Sequence, residues 1–221
     1  MAGINIAYIT VSIIVILISL TFHEMAHAAA ANALGDPTAK NLGRISANPL
    51  DHIHWFGTIA LPLLLAWTGA GVFGYAKPVP VNLHNLSNPR RDDALISAAG
   101  PAANLALAII SSLALRIILF FPEAGSDLLI FIVFVLRMMI VINIYLMLFN
   151  MLPIAPLDGS GVLQAFLPPR AWLVYQENRQ VMMMVFLGLI LFTDFFHIFY
   201  LSPVSKVFLY PLQFVAGVPL V

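Results

Sequence analysis

Long apolar runs separated by short polar stretches dominate this chain. A helix needs about 20 predominantly apolar residues to cross a bilayer, and four runs reach that length. They cover about residues 4–33, 94–121, 128–152 and 180–201. A fifth run, about 55–73, is near spanning length but is interrupted by Pro62 and by glycines. The pattern predicts an all-α polytopic membrane protein with four secure transmembrane helices.

Composition agrees with that pattern and narrows the chemistry. Of the 221 residues, 61% are hydrophobic and 9% are charged, whereas soluble domains are about 45–50% apolar and about 25% charged. The formal net charge of zero gives no indication of nucleic-acid binding. Cysteine is absent, which excludes disulfides, thiolate metal ligands and a cysteine nucleophile. We expect one membrane-embedded domain over residues 1–221, in which any metal has nitrogen and oxygen ligands.

Basic residues indicate the orientation in the cell membrane, because short cytoplasmic loops are enriched in lysine and arginine. The turn at 122–127 has two acidic residues and no basic one. Basic residues occur instead after the first helix and after the third. They are Lys40, Arg44, Lys77, Arg90 and Arg91 in the first of these segments, and Arg170 and Arg179 in the second. The N-terminus and the 122–127 turn are therefore predicted outside, and both basic segments in the cytoplasm.

This orientation requires an odd number of crossings between the end of the first helix and the outer turn, so 55–73 should not span the membrane. We predict instead a re-entrant, β-hairpin-like element at about residues 36–90, which is tolerated where protein or water covers its backbone. Within it, "VFGYAKPVPVN" at 72–82 has an extended character, with Pro78 and Pro80 on the same edge. Such a segment is either a strand with one edge free to pair or a rigid loop.

Three ionisable residues interrupt the first apolar run, in "TFHEMAHAAAANALGD" at 21–36. His23 and His27 are four positions apart and share one helical face, so both imidazoles can reach one ion. Glu24 projects beside them, where a carboxylate can take a proton from a metal-activated water. This is the H-E-x-x-H arrangement, and ionisable groups at membrane depth are functional candidates. The alternative is that the three side chains satisfy one another or neighbouring carbonyls.

A tetrahedral zinc ion with two histidine ligands needs a third protein ligand, while water keeps the fourth position. Asp158, in "FNMLPIAPLDGSGVL", is the candidate because it is the only carboxylate between Asp127 and Glu177. It is also predicted on the same side of the membrane as the two histidines. Its alternative role is to cap a short helix at 160–167. Asn150 could hold the substrate backbone or an oxyanion, or could only pin helices together.

Three other polar residues in this part of the chain have simpler explanations. His52 and His54, in "DHIHW", could form an auxiliary or inhibitory metal site, but histidines at the membrane interface beside Trp55 are the simpler account. Asp36 follows the first helix, and we expect it to cap that helix end.

Four motifs occur in order: HEMAH at 23–27, ALGD at 33–36, AGPAAN at 99–104 and NMLPIAPLDG at 150–159. Together they resemble the site-2 proteases, membrane-embedded zinc metalloproteases that perform regulated intramembrane proteolysis. The resemblance extends from the first helix to about residue 167. The PDZ and CBS modules of larger members have no counterpart in this sequence, so the chain is similar to the small, minimal prokaryotic branch.

The resemblance implies one zinc ion on His23, His27 and Asp158, with Glu24 as general base and a re-entrant element beside the site. It implies that the substrates are single-pass or other transmembrane proteins, cut in the lipid bilayer near the cytoplasmic face. The alternative from another class is a catalytically silent membrane metal-binding protein or a metal transporter. Transport favours ligands spaced along several helices on both sides of the membrane. Here the candidate ligands converge at one depth, which favours catalysis.

Overall fold

The computed structural model of the chain describes residues 6–60, 77–120, 127–192 and 202–220. Within those ranges the regular structure is helical and no β-strand occurs, so the prediction of an all-α protein is confirmed. The α-helices are α1 (Ile6–Ala33), α2 (Thr38–Asn41), α3 (Pro89–Leu119), α4 (Asp127–Asn150), α5 (Asp158–Phe166), α6 (Pro169–Glu177), α7 (Arg179–Phe192) and α8 (Ser202–Ala216). Short 3-10 turns at Pro49–Asp51 and Leu83–Asn85 and a π-helical stretch at Trp55–Ala60 lie between α2 and α3.

Three of these helices are long and apolar enough to cross a membrane: Thr10–Ala33 within α1, Pro89–Leu119 (α3) and Asp127–Asn150 (α4). They confirm the prediction of a multi-pass membrane protein. The fourth predicted span, 180–201, coincides with α7 in its first half, and its second half lies outside the described residues. The fourth crossing therefore stays a prediction.

Helix α3 begins earlier than the apolar pattern predicts, at Pro89 instead of residue 94. Proline suits the first helical position because that N–H has no partner inside a helix. The Asp92 carboxylate accepts the backbone N–H of Asn88 at 2.8 Å, which closes the start of the helix. With 31 residues, α3 is about 46 Å long, so its polar beginning extends beyond a hydrocarbon layer of about 30 Å.

The predicted re-entrant element, about residues 36–90, is described only at its two flanks, because 61–76 lie outside the described residues. Neither flank contains a strand. Residues 77–82 have no helical or ladder hydrogen bonds, and the N–H of Lys77 joins them to the first flank by donating to the His52 carbonyl at 2.9 Å. The hairpin and the re-entrant path therefore stay predictions.

The three long helices form the body of the fold, with α3 packed against both α1 and α4. Where α3 and α4 meet α8, an apolar core forms from side chains that are almost completely buried. Its members include Leu115, Ile140, Ile144, Leu209 and Leu212. Helix α8 therefore covers the joint between α3 and α4.

Helix α5 is held at both ends against α3. Near its start, a side chain at Gly161 would overlap the Ser97 side chain, so the absence of a Cβ permits the close approach. At its end, Nη2 of Arg90 donates to the carbonyls of Gln164 at 2.7 Å and Leu167 at 2.5 Å. These are carbonyls that a helix C-terminus leaves without intrahelical partners. The position of the first residue of α5, Asp158, is thereby fixed relative to α3.

Candidate metal centre

His23, His27 and Asp158 come together at the junction of α1 and α5. One ligand atom from each lies within 4.8 Å of the others. The two Nε2 atoms are 3.1 Å apart, and Asp158 places Oδ2 3.0 Å from Nε2 of His23 and Oδ1 3.4 Å from Nε2 of His27. The two residues of the first helix and the distant aspartate, predicted as one ligand set, thus share one site.

The second ring nitrogen of each histidine is fixed by a hydrogen bond to α3. Nδ1 of His27 lies 2.7 Å from the carbonyl oxygen of Ile96. A carbonyl can only accept, so Nδ1 carries the proton. In a neutral imidazole Nε2 then has the lone pair, and it points towards the Asp158 carboxylate. This is the outer-shell arrangement that orients histidines bound to metals.

His23 is held in the same tautomer through a chain of buried amides. Nδ2 of Asn143 donates to the Met139 carbonyl at 2.8 Å, which fixes the orientation of that amide. Its Oδ1 therefore accepts from Nδ2 of Asn104 at 2.8 Å. The Asn104 Oδ1 is then left to accept from Nδ1 of His23 at 2.6 Å. The Nδ2 of Asn143 also donates to the Ser19 hydroxyl at 2.9 Å, so the chain returns to α1.

Gly100 leaves the space in which the two imidazoles sit. It lies on α3 between the partners of the histidines, and a Cβ there would overlap Nε2 of His27 and both Cε1 and Nε2 of His23. Any side chain at position 100 would therefore displace the ring edges that face Asp158.

The donor set fits a zinc ion. Both Nε2 atoms and the carboxylate are acceptors, and none of them can donate to another while the imidazoles are neutral. Oδ2 of Asp158 is buried and has no hydrogen-bond partner among the described residues. Converging lone pairs of this kind are unfavourable without a cation between them, and two imidazoles with one carboxylate are a ligand set that zinc takes in catalytic sites.

Asp158 does not act as the helix cap considered as its alternative role. It is the first residue of α5, Leu157 occupies the N-cap position, and no side-chain cap hydrogen bond is present there. A side chain at Gly159 would overlap the backbone of Met151 and Leu152, so this glycine allows the chain to fold closely after α4. The carboxylate is thus directed at the histidines.

Glu24 and Asn150 line a cavity of about 720 Å³ that also contains the three candidate ligands. Glu24 is half-buried beside His23. Asn150 donates its Nδ2 to the Leu146 carbonyl of its own helix at 3.0 Å, so this bond does not pin two helices together. Most of the remaining cavity surface is apolar. It includes Val79, Val81, Phe149, Met183 and Phe186.

His52 and His54 do not join a metal group among the described residues. His52 is buried, with Nε2 at 2.8 Å from the Ser46 carbonyl. Its predicted position at the membrane interface stays a prediction. Nδ1 of His54 accepts the N–H of Gly57 at 3.1 Å. Both rings therefore brace local turns.

Two polar residues beside the candidate metal ligands were not predicted from the sequence. Asn143 and Ser19 are fully buried and complete the chain that reaches His23, yet neither belongs to a motif. Asn104 belongs to the AGPAAN motif, but nothing in the sequence predicts its bond to a candidate ligand. A polar side chain inside an apolar run such as "MMIVINIYLMLF" is the signal that could have identified Asn143.

Sequence comparison relates this chain to known zinc metalloproteases. The sequence profile of peptidase family M50 matches residues 11–129. "Putative zinc metalloprotease YwhC" of Bacillus subtilis is 38% identical over 164 residues, which are 71% of this chain and 69% of that protein. "Putative zinc metalloprotease Rip2" of Mycolicibacterium smegmatis is 34% identical over 167 residues, 74% of this chain and 61% of that protein. Rip2 of Mycobacterium tuberculosis H37Rv is 32% identical over 194 residues, 84% of this chain and 69% of that protein.

No solved structure matches the chain significantly. The matched stretch covers between 61% and 69% of these three relatives. The profile covers α1 and α3, which carry both histidines and their hydrogen-bond partners. The chain therefore belongs to peptidase family M50, the site-2 protease family that its motifs resemble, and is a membrane metalloendopeptidase.

Proposed function

We propose that the chain is an intramembrane zinc endopeptidase that hydrolyses peptide bonds within or near transmembrane segments of other membrane proteins. The observation that carries the proposal is the convergence of His23, His27 and Asp158, with their lone pairs directed at one point, beside Glu24 in a largely apolar cavity. An apolar wall suits a substrate segment that comes from the bilayer. Regulated intramembrane proteolysis is the corresponding biological role.

His23, His27 and Asp158 would hold the zinc ion. Bound there, zinc supplies a Lewis acid that polarises the scissile carbonyl and makes a water molecule acidic enough to act as the nucleophile near neutral pH. Asn104 and the Ile96 carbonyl keep both imidazoles in the tautomer that leaves Nε2 available. The protein thus contributes ligands whose orientation is set before any metal binds.

Glu24 is the proposed general base. Its carboxylate accepts the proton of the attacking water and returns it to the amine of the leaving peptide, which requires a position next to the ligands without being one of them. Its place one residue after His23, on the wall of the same cavity, supports this role. Asn150 is the proposed contact to the substrate backbone or to the developing oxyanion, because it lines the same cavity as Glu24 and the three candidate ligands.

The orientation and the fourth crossing belong to the same proposal. The distribution of basic residues supports an N-terminus outside and a site near the cytoplasmic face of the cell membrane. We propose that α7 continues as a fourth span. The same orientation requires an odd number of crossings between the first helix and the 122–127 turn, so we propose that the segment at about 36–90 is re-entrant, with an extended edge at 72–82. A helical substrate hides its carbonyls, so it must unwind locally, and we propose that it pairs with that edge.

Replacing 72–82 with a Gly/Ser linker tests the pairing step. Cleavage of a helical transmembrane substrate should fall more than cleavage of an already extended peptide. Equal losses for the two substrates would contradict pairing with this segment.

Glu24→Gln tests the mechanism. We expect the variant to retain zinc, measured by elemental analysis, and to lose cleavage of a panel of single-span membrane proteins. Glu177→Gln is the matched control, since Glu177 is exposed at the end of α6 and should keep both properties. Cleavage at the normal rate by Glu24→Gln would contradict the mechanism. Loss of zinc together with cleavage would contradict the assignment of Glu24 as a base that is not a ligand.

A further inference from the structure

The Asp36 carboxylate is fully buried just beyond the end of α1, with an exposed fraction of 0%. Its Oδ1 accepts from the Thr38 N–H at 3.1 Å, from the Thr38 hydroxyl at 2.5 Å and from Nδ2 of Asn85 at 2.7 Å. Its Oδ2 accepts one hydrogen bond, from the backbone N–H of Asn82 at 2.7 Å. A buried carboxylate is costly unless hydrogen bonds stabilise it, and four neutral donors do so here.

The side chain of Asp36 is not the cap that the sequence predicted for α1. The helix end is closed by the backbone, since Gly35 has a φ of 107° and the N–H of Asp36 donates to the Ala31 carbonyl at 2.9 Å. The carboxylate instead reaches a part of the chain that follows 46 residues later. At Gly35, a Cβ would lie 3.3 Å from the Asn85 carbonyl oxygen, so the later segment packs directly on this turn.

The segment that Asp36 reaches has two edges of different chemistry. Pro78 and Pro80 restrict it to an extended course. N–H groups alternate in direction along an extended chain, so Pro78, Pro80 and Asn82 share one edge. Proline has no N–H, and Asn82 therefore supplies the N–H of that edge, which Asp36 accepts. The N–H groups of Val79 and Val81 lie on the opposite edge, and they have no backbone hydrogen bond within the described part of the chain.

Pro78, Val79 and Val81 line the same cavity as His23 and Glu24. We infer that Asp36 is a positioning residue: through the N–H of Asn82 its carboxylate holds residues 77–82 at the end of α1, and so sets the place of that segment in the cavity that the candidate metal ligands also line. The inference rests on the proposed function, because it assigns the segment a role in placing the substrate. The hydrogen bond is direct, because its acceptor is in the turn that ends α1 and its donor is in this segment.

Asp36→Asn selectively removes the hydrogen bond from the N–H of Asn82. Both oxygens of Asp36 accept hydrogen bonds. The asparagine side chain has one oxygen and one NH₂ group, so its NH₂ group must face donors that a carboxylate oxygen now accepts. Facing the NH₂ group towards the N–H of Asn82 loses one hydrogen bond. Facing it the other way loses those from the Thr38 N–H and from Nδ2 of Asn85, because only the Thr38 hydroxyl can accept from it. The variant should therefore keep the Thr38 and Asn85 contacts and release residues 77–82.

Two measurements test the inference: the kinetics of cleavage and the mobility of residues 77–82. For a transmembrane substrate, we expect Asp36→Asn to raise KM about 10-fold with kcat changed less than about 3-fold, as for a lost binding contact. Because the chain has no cysteine, Val79→Cys can carry a single nitroxide label. The label should become more mobile in the Asp36→Asn background, while a label at Ile13, exposed on α1, should not change.

Two comparisons make the test specific. Asp51→Asn replaces an exposed carboxylate that accepts one hydroxyl, from Ser46 at 2.5 Å, and should leave KM and the Val79 label unchanged. Asn82→Pro deletes the donated N–H and should raise KM more than Asn82→Ala, which keeps it.

Normal KM and an immobile label in Asp36→Asn would overturn the inference, and so would equal effects of the two substitutions at position 82. These results leave the Glu24→Gln outcome untouched, so failure of the positioning role is distinguishable from failure of the proposed function.

Discussion

His23 and Asn104 are joined by a hydrogen bond of 2.6 Å between ring Nδ1 and amide Oδ1, although 81 positions separate them. Asn104 is completely buried, and its own amide nitrogen is committed to Asn143. The orientation of Nε2 of His23, which faces Asp158, is therefore decided by α3 and α4. We expect the affinity for zinc to depend on residues that cannot contact the ion.

Asn104→Ala should weaken zinc binding by about 10- to 100-fold, because a ligating histidine loses the partner that fixes its tautomer and ring angle. A zinc titration against a competing chelator measures the change. Asn104→Asp keeps an acceptor towards Nδ1 and should retain more affinity than the alanine variant.

Asn150→Ala is the control for this prediction. Asn150 lines the same cavity but bonds to its own helix, so its truncation should leave the affinity for zinc unchanged. Equal affinities for the wild-type protein and Asn104→Ala would show that the bond to His23 does not organise the site.

Gly100→Ala should lower zinc occupancy strongly while lowering the folding stability only moderately. The added Cβ would overlap both imidazoles, and the rings, which are the movable groups, must turn away from Asp158. Overpacking of this kind costs about 1–3 kcal/mol of folding free energy. Gly188→Ala on α7 is the matched control, because a Cβ there meets nothing within 4 Å. Elemental analysis and thermal unfolding of both variants, purified in parallel, test the prediction; full zinc occupancy in Gly100→Ala would contradict it.

The local parts of the site could be predicted from the sequence because their geometry follows from helix periodicity. The four-residue spacing of His23 and His27 places both on one face of any helix. Pro153 and Pro156, which cannot continue a helix, separate α4 from the helix that Asp158 begins. The three long spans follow from apolar length alone. Helix α3 was predicted too short because its first residues are polar, so the apolar pattern does not include them. Pro89 suits the first helical position, and the Asp92 carboxylate accepts the N–H of Asn88.

The non-local parts could not be predicted because they depend on which side chains meet after folding. Asn143 and Ser19 look like isolated polar residues until α1, α3 and α4 are packed together. Asp36 was expected to cap α1, because a helix cap involves only residues that are close in sequence. Its carboxylate instead accepts the N–H of Asn82, which follows 46 residues later. Only the tertiary fold makes these pairs neighbours.

Zinc should stabilise the folded chain, because His23, His27 and Asp158 direct three acceptor groups at one point, where a bound cation offsets their mutual repulsion. A ligand present at about 100 times its dissociation constant stabilises the state that binds it by about 2.7 kcal/mol. Removing metal with a chelator should therefore lower the unfolding midpoint, and zinc should restore it. Magnesium should not, since it prefers octahedral oxygen ligands.

His23→Ala is the control for the effect of zinc on stability. It removes one of the three candidate ligands, so its midpoint should respond weakly to either chelator or zinc. If neither the chelator nor zinc changes the unfolding midpoint of the wild-type protein, His23, His27 and Asp158 do not bind the ion.

Asp36 should make stability fall at low pH. Burial by itself raises the pKa of this carboxyl, but hydrogen bonds from Thr38, Asn82 and Asn85 outweigh it and hold the pKa at about 2, below the ordinary value of 3.8. A group whose folded pKa is depressed contributes its stability above the unfolded pKa and loses it as pH falls through the folded one. The advantage of the wild-type protein over Asp36→Asn should thus be constant above about pH 5 and narrow between about pH 4 and 2. Denaturant unfolding of both proteins over this range measures it; Thr38→Val, which removes one donor, should move the narrowing to higher pH, and a pH-independent difference would contradict an ionised, hydrogen-bonded Asp36.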